Sequence, residues 1–574
     1  ICIKYIVNIR RIVMTDYNNI VSKVNVAEEV FNRNLFECPS TWKGTFNSGF
    51  LIPVFVEPFL PGDTWTLNTT FFCRLSTQVL PPMDNIYLDF HIWSCYDRLR
   101  WNNFTKFMGE RDNPTDSIDY LEPQISSGSN GFGYETPFDY CGDTPGVPNL
   151  KVNANIYRIM NLIWNKFYRS ELLQNSLPVY MDDGPDPLVQ SDGSATYPLL
   201  PRNKRLDYFV AACPNPVSVS GLSVTLPLGD TAPLKRVRSL NLNGNTDVNW
   251  YNLSASVGNN KPAQFTQFDH TGANDVLQGS YGNGANGNAL IEDSRTYGLQ
   301  LQYNNFAADL TSATAATINT IRQAFATQQF LEKEMLSGSR YPEQIYSFFG
   351  VLPPHSQWLP EFLGGATVMI NTNVVPQTSS TDSTTPQASL ASYGTASGTE
   401  IGFTKSFEEH GWVIMFVSAR TDQTYQQGID RKHTKRSRYD YYWSPFAHLG
   451  MQAILNKEIY AQGESVTDAS GNIIDEKVFG YIPRYDEYRF KNSLITGRFR
   501  SSYPQSLDAY HYSQYFGQLP QLNDEFIKCP TGSNSPIKRT LAVQTEPEFL
   551  LDCFHDLTKI STVSIDGHPG LTRM

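Results

Sequence analysis

The sequence predicts a mainly β protein, a β-sandwich that carries its insertions in the middle of the chain, and three observations lead there. Residues 86–93 alternate: Ile86, Leu88, Phe90 and Ile92 project to one side, Tyr87, Asp89, His91 and Trp93 to the other, the two-residue period of a strand with one oily face. Two strand-like runs precede it, 50–59 closed by Pro61-Gly62-Asp63 and 65–80 closed by Pro81-Pro82, because Gly and Pro fix or free the backbone where strands end. Strand-like runs return at 479–499 and 549–560, and first and last strands often pair in Greek-key sheets.

Between these ends the elements follow in order. Residues 154–173 place Ile156, Ile159, Leu162, Ile163 and Phe167 at helical spacing and run into a polar loop at 182–194. Residues 201–228 read as extended, with Tyr208, Val210, Val217, Val219, Leu222, Val224 and Leu226 among prolines. From 229 to 295 the composition turns to Asn, Gly, Ser and Thr, too long for an ordinary connection, and it reads as a surface insertion. A second helix is predicted over 310–336, capped by Thr311 or Ser312, with a seam of Ala315, Ile318, Ile321, Phe325 and Leu331, and stopped by Ser337-Gly338. Residues 371–398 are rich in Ser, Thr, Pro and Gly and read as an extended segment held only by its neighbours. Residues 412–418 are apolar on both faces, as a central strand would be.

The resulting organisation is an arm at 14–45, sandwich strands at 46–228 and 401–574, the insertion at 229–295 and a helical and extended insertion at 296–400. Residues 1–13 (ICIKYIVNIRRIV) are apolar and basic but make a poor signal peptide. Met14 is the expected start, and the first thirteen residues the translated upstream sequence.

Composition narrows the function. Among 574 residues only 18% are charged while 13% are aromatic, against about 25% charged in ordinary domains, so much of the surface is expected to be covered by partner subunits. The net charge of -11 argues against generic duplex-DNA binding, which needs many cations on phosphates. The eight cysteines are scattered without a C-x-x-C pair, so neither a zinc site nor a disulfide framework is expected. No apolar run reaches the length that crosses a bilayer.

Catalytic patterns fail on context. The run 282–287 (GNGANG) fits G-x-G-x-x-G but lacks the strand, the helix and the acidic residue that a dinucleotide site needs. Asp182-Asp183 and Glu408-Glu409 are adjacent on extended chain and point apart, so they read as solvated loop charges. No H-E-x-x-H or G-x-S-x-G motif is present. His91, His448 and His555 read as hydrogen-bonded structural histidines. No catalytic residue, metal ligand or cofactor is assigned.

Taken in order, a set of short motifs resembles the major capsid protein of the gokushovirus group of the Microviridae, small tail-less phages with single-stranded DNA. They are FNSGFLIP at 46–53, LPGDT at 60–64, PMDN at 82–85, KFMGE at 106–110, ATAATIN at 313–319, FTKSF at 403–407, YDYYW at 439–443, FAHLG at 446–450, RYDEYR at 484–489, TGRFRS at 496–501 and LND at 522–524. The resemblance covers roughly 46–570, with the 229–295 insert and the first few dozen residues outside it. It implies a single eight-stranded antiparallel jelly roll with long loops, one copy per icosahedral position, in a virion assembled in the bacterial host cytoplasm. The partners it implies are identical subunits, an internal scaffolding protein, a DNA pilot protein, a small basic DNA-binding protein and packaged circular single-stranded DNA. It also implies that an inserted loop forms a threefold protrusion meeting the host receptor. The 229–295 segment has the place and composition for that loop, with Asn241, Asn243, Trp250, Tyr251, Tyr281 and Asn283 as candidate receptor contacts.

One concentrated basic run remains. Arg431, Lys432, Lys435, Arg436 and Arg438 precede Tyr439, Tyr441, Tyr442 and Trp443, and cations beside aromatics hold phosphates and stack bases of single-stranded DNA. The bland alternative is an inter-subunit or solvent-facing loop. The competing reading of the whole chain is a carbohydrate-binding or carbohydrate-cleaving β-sandwich, since exposed Trp and Tyr stack on sugars; the order of the motifs disfavours it.

Overall fold

Among the described residues two large antiparallel sheets, several two-stranded pairs, few helices and long loops make up the structure. The computed structural model describes residues 33–217, 318–351, 358–378, 381, 387 and 389–565, and the backbone alone of short strands at 234–236, 264–269, 276–280 and 306–308. The six receptor-loop candidates, the 282–287 run, the Thr311 and Ser312 caps and residues 1–32 lie outside the described residues.

Ten strands build the sandwich: β1 (Asn34–Glu37), β2 (Ser40–Phe46), β3 (Phe50–Phe59), β4 (Thr64–Gln78), β5 (Ile86–Tyr96), β6 (Glu361–Met369), β7 (Asn371–Pro376), β8 (Leu390–Ser406), β9 (Gly411–Thr421) and β10 (Phe549–Ser561). In one sheet β1 and β2 lie end to end along β10, followed by β4, β8 and β7. In the other the order is β6, β5, β9, β3, with the short strand Leu200–Pro201 at the edge. Apart from the edge pair β8 and β7, early and late members of these ten strands alternate within each sheet, and the first described strands pair with the last, as expected.

The inner faces meet in one core. Ile86, Leu88, Phe90 and Ile92 point into it, as the alternation predicts, and the rings of Phe71 and Phe90 stand 4.5 Å apart between the sheets. Strand β9 is central, paired with β5 and β3; Val413, Met415 and Val417 face the first core while Ile414 and Phe416 face a second. That second core is covered by helix α1 (Asn155–Ile163), which continues as a π-helical turn, Trp164–Tyr168. The helix thus ends before residue 173, where its sequence pattern ends.

Other expectations need correction. The described ends of the 371–398 segment are extended, as expected, but they are a built part of the sheet: β8 pairs with both β7 and β4. Its small residues fit close neighbours, since a Cβ on Gly398 would lie 2.6 Å from Phe71 Cε1 and one on Gly394 2.9 Å from Ile370 Cγ2. Residues 202–217 form no long extended run; Tyr208 to Ala211 make a turn whose amides at Phe209 and Val210 donate to Asp207 Oδ1. In 479–499 only Val478–Pro483 is a substantial strand, paired with Met451–Leu455; short 3-10 turns and the two-residue strand Ser493–Leu494 account for the rest of its regular structure. Residues 34–37 and 40–45, expected as arm, pair with β10.

The chain divides into two compact units, residues 1–220 with 332–574, and residues 221–331. Within the second, Leu234–Arg236 pairs antiparallel with Phe306–Ala308, and Gln264–Asp269 pairs with Val276–Ser280. Helix α2 (Ile318–Ser337) ends at Gly338, whose φ of +96° suits a residue without Cβ.

Two histidines inside the first unit are held by fixed partners. His91 Nδ1 and Tyr168 OH share a hydrogen bond at 2.8 Å, and that hydroxyl accepts from Trp93 Nε1 at 2.9 Å. His555 Nε2 donates to the Val54 carbonyl at 3.0 Å, so its Nδ1 accepts from Thr69 at 3.0 Å. His448 is exposed in a turn and plays no such part. Nor are the paired carboxylates simply solvated: Asp183 accepts from Trp101 Nε1 at 2.7 Å and Glu409 pairs with Arg98 at 2.6 Å. The seven described cysteines are free thiols.

Burial holds the His555 pKa down at about 4, with the Val54 hydrogen bond opposing. A folded pKa below the unfolded value of about 6.5 means that unfolding takes up a proton between pH 6.5 and 4, so this contribution is complete above 6.5 and lost on acidification. His555→Gln is expected to flatten the acid loss of stability by about 3 kcal/mol between pH 7.5 and 4. Denaturation midpoints at both pH values check it, and parallel losses in the two proteins would contradict it.

Candidate nucleic-acid interface

The basic run sits on a third, smaller core. Tyr208, Phe209, Tyr425, Ile454, Ile459, Phe479 and Phe526 fill it beneath the Met451–Leu455 and Val478–Pro483 hairpin. Above it, residues 431–443 are folded by their own polar groups. Asp430 accepts from the Lys432 amide at 3.1 Å and starts the 3-10 turn Arg431–His433. Asp440 accepts from the amides of Arg436 at 2.8 Å and Ser437 at 2.6 Å, which lowers its pKa. Buried Tyr485 pins the aromatic end: its hydroxyl donates to the Tyr441 carbonyl and accepts from the Trp443 amide, both at 3.3 Å, and its ring lies 5.0 Å from that of Tyr442. Tyr485 adopts a left-handed backbone, φ +67°, a conformation that costs a non-glycine residue energy and persists where its surroundings over-determine it.

The five sequence candidates divide. Arg431 turns inward, donating to the Ala453 carbonyl at 2.8 Å and to Glu458 Oε1 at 3.2 Å. Burial works against its charge, but Glu458 and Tyr208 outweigh it and raise its pKa. Burial likewise raises the Glu458 pKa, opposed by Arg431, the Leu455 amide and Tyr208. Arg431 is therefore a structural cation, its Nη1 shared between the Ala453 carbonyl and Glu458. The other four remain toward the surface. Lys432 is 3.0 Å from Asp430, Lys435 lies 4.2 Å from the Tyr488 ring centre and 5.2 Å from that of Tyr441, and Arg438 lies 4.8 Å over Tyr439. Arg436 is exposed.

Sequence reasoning missed a second group that the fold brings to the same place. Tyr488, Arg489, Phe490 and Lys491 line a cleft of about 430 Å³ with Lys432 and Lys435. Two of these residues, Tyr488 and Arg489, end the RYDEYR motif at 484–489, whose arginines are offset by Asp486 and Glu487, so the stretch does not read as a basic run. Five cations and three carboxylates line that cleft, Arg431, Lys432, Lys435, Arg489 and Lys491 against Asp430, Glu458 and Glu487. Beside it Tyr439, Tyr441, Tyr442, Trp443, Tyr488 and Phe490 expose their rings. Exposed rings beside cations on long stems are the elements from which a sequence-tolerant base-stacking surface is built.

Among the described residues no cluster of three or more metal-ligating side chains occurs, and no helix is long and apolar enough to cross a membrane.

Known proteins match along almost the whole chain. A family model described as capsid protein (F protein) matches residues 24–571. The chain is 40% identical to capsid protein VP1 of Bdellovibrio phage phiMH2K over 96% of each chain. It is 37% identical to capsid protein VP1 of Chlamydia phage 1, over 96% of this chain and 97% of the relative. Against capsid protein VP1 of Spiroplasma virus 4 the identity is 29%, over 94% and 96%.

Proposed function

The chain belongs to the capsid protein (F protein) family of Microviridae phages, and we propose that it assembles with identical copies into an icosahedral shell around a circular single-stranded DNA genome. The observation that carries this reading is the likeness to phage capsid proteins, which runs over residues 24–571 in the family match and over 96% of the chain in the Bdellovibrio phage relative. In this reading the sandwich is an eight-stranded jelly roll. Its two sheets are β2-β10-β4-β8 and β6-β5-β9-β3, with β7 added at an edge; the pairing of the first long strand with the last supports it. Large exposed rings on a chain short of charge are the surface that identical neighbours would cover.

The basic and aromatic surface is assigned to the genome. Lys432, Lys435, Arg436 and Arg438 hold phosphates while Tyr439, Tyr441, Tyr442 and Trp443 stack bases, on the inner wall of the shell. Arg431 supports the platform through Glu458. An internal scaffolding protein, a DNA pilot protein and a small basic DNA-binding protein complete the particle, which assembles in the host cytoplasm. The 229–295 segment, carrying Asn241, Asn243, Trp250, Tyr251, Tyr281 and Asn283, meets the host receptor; its deletion is expected to spare assembly and abolish infection.

Reversing the four surface charges to glutamate is expected to leave empty-shell yield unchanged and to lower the DNA content or the salt resistance of filled particles. Absorbance ratios of purified particles and their survival at raised salt measure this. Unchanged DNA content and stability would remove the DNA contact while leaving the shell intact.

A further inference from the structure

Helix α3 (Tyr341–Phe349) buries none of its residues, although most of them are apolar. It is nonetheless rigidly placed. At its start the Arg340 guanidinium donates to the carbonyls of Asn165 at 3.1 Å and Arg169 at 3.0 Å and pairs with Glu171 at 2.9 Å, while the Ser339 amide donates to Glu171 at 2.8 Å. At its end Gly350 caps it in the left-handed region, φ +69°. Phe348 lies under Lys333, whose Nζ is 4.7 Å from its ring centre, whereas Tyr341, Tyr346 and Phe349 stand in solvent on a helix anchored at its start, which preorganises those three rings for a contact with another molecule.

The surface holds both halves of such a contact. Tyr341, Tyr346, Phe349 and Trp358 project with exposures between 61% and 79%. Beside them runs an apolar groove of about 470 Å³, lined by Phe167, Pro342, Tyr346 and Leu359 and edged by Lys166 and Glu343. Aromatic side chains cover roughly 150–250 Å² each, so these four offer on the order of 500 Å² per copy and about 1,000 Å² for two, the size at which a specific interface begins. A patch carrying its own projecting rings and its own socket is complementary to itself, which is the requirement for a two-fold contact.

We infer that the α3 face is an isologous interface, at which the Phe349 ring of each of two copies of this chain enters the groove between α3 and Leu359 of the other. This rests on the shell reading and adds which surface pairs the copies and with what symmetry.

The test uses particles of the full chain assembled with the scaffolding partner. Phe349→Cys places a thiol on a side chain that is 79% exposed, and a short bis-maleimide, with the parent protein as control, is expected to yield covalent dimers and nothing larger. A ladder of trimers and above would make the contact head-to-tail, an adduct with the scaffolding protein would make the occupant a different chain, and no adduct in intact particles would leave the face uncovered; each overturns the inference. Phe349→Asp is expected to keep the thermal midpoint of the unassembled subunit while lowering particle yield at least tenfold, and an unchanged yield also overturns it. Failure of the parent protein itself to form particles would instead count against the shell reading.

Discussion

Replacing Asp186 by alanine is expected to cost the subunit about 3–5 kcal/mol, because it strands a buried guanidinium. Arg158, on the inner side of α1, is fully buried, and its Nε donates to Asp186 Oδ2 at 2.8 Å. Its Nη2 also pairs with Asp186, and Tyr197 donates its hydroxyl to the same carboxylate. What remains after the substitution is the Asp182 carbonyl at 2.8 Å and the Asp182 carboxylate at 3.2 Å, on a side chain that is largely in solvent. Removing both partners is a different experiment. In Arg158→Met with Asp186→Leu no charge is left unpaired, and much of the loss is expected to return, since a buried pair offsets its own desolvation only narrowly. Chemical denaturation of the single and double variants measures this; a single variant within about 1 kcal/mol of the parent would show that the pair does not organise the helical layer.

Phe71 and Phe72 are neighbours on β4 with opposite fates, and their alanine variants are expected to differ accordingly. Phe71 is 2% exposed, against Phe90 of the facing sheet, whereas Phe72 is 52% exposed on the outer face. Phe71→Ala removes a ring from between the two sheets and leaves a cavity that the paired backbones on either side hold open, at about 3–5 kcal/mol. Phe72→Ala is expected to change subunit stability by less than about 0.5 kcal/mol. Its effect, if the outer face is covered by neighbouring copies, falls on assembly. Equal destabilisation by the two would contradict the register of β4.

How far the sequence discloses the fold depends on how directly a side chain reports its surroundings. Strands β3, β4, β5, β9 and β10 were legible because alternation or continuous apolar character marks a buried face. Strand β8 was not: Gly394, Gly398 and Gly402 carry no side chain to alternate, and the close approach that excludes a Cβ there exists only in the assembled sheet. The Arg158–Asp186 pair was hidden for a related reason, since Asp186 stands in a stretch that reads as a polar loop and its partner lies 28 residues away on a helix. The candidate DNA surface was half legible. The run at 431–438 is concentrated in sequence, but that Arg431 turns inward, and that Tyr488 to Lys491 come to stand beside Lys435, follows only from the hairpin beneath them. The family was legible from short motifs because their order, more than any one of them, is improbable by chance.

The central claim is that this sandwich is a tile of a closed container. Electron cryomicroscopy of the full chain expressed with its scaffolding partner tests it most directly. The expected result is uniform closed particles with one copy per icosahedral position, in which the 431–443 surface faces the interior and the α3 faces meet across two-fold axes. A soluble monomer that persists at high concentration in the presence of that partner would contradict it.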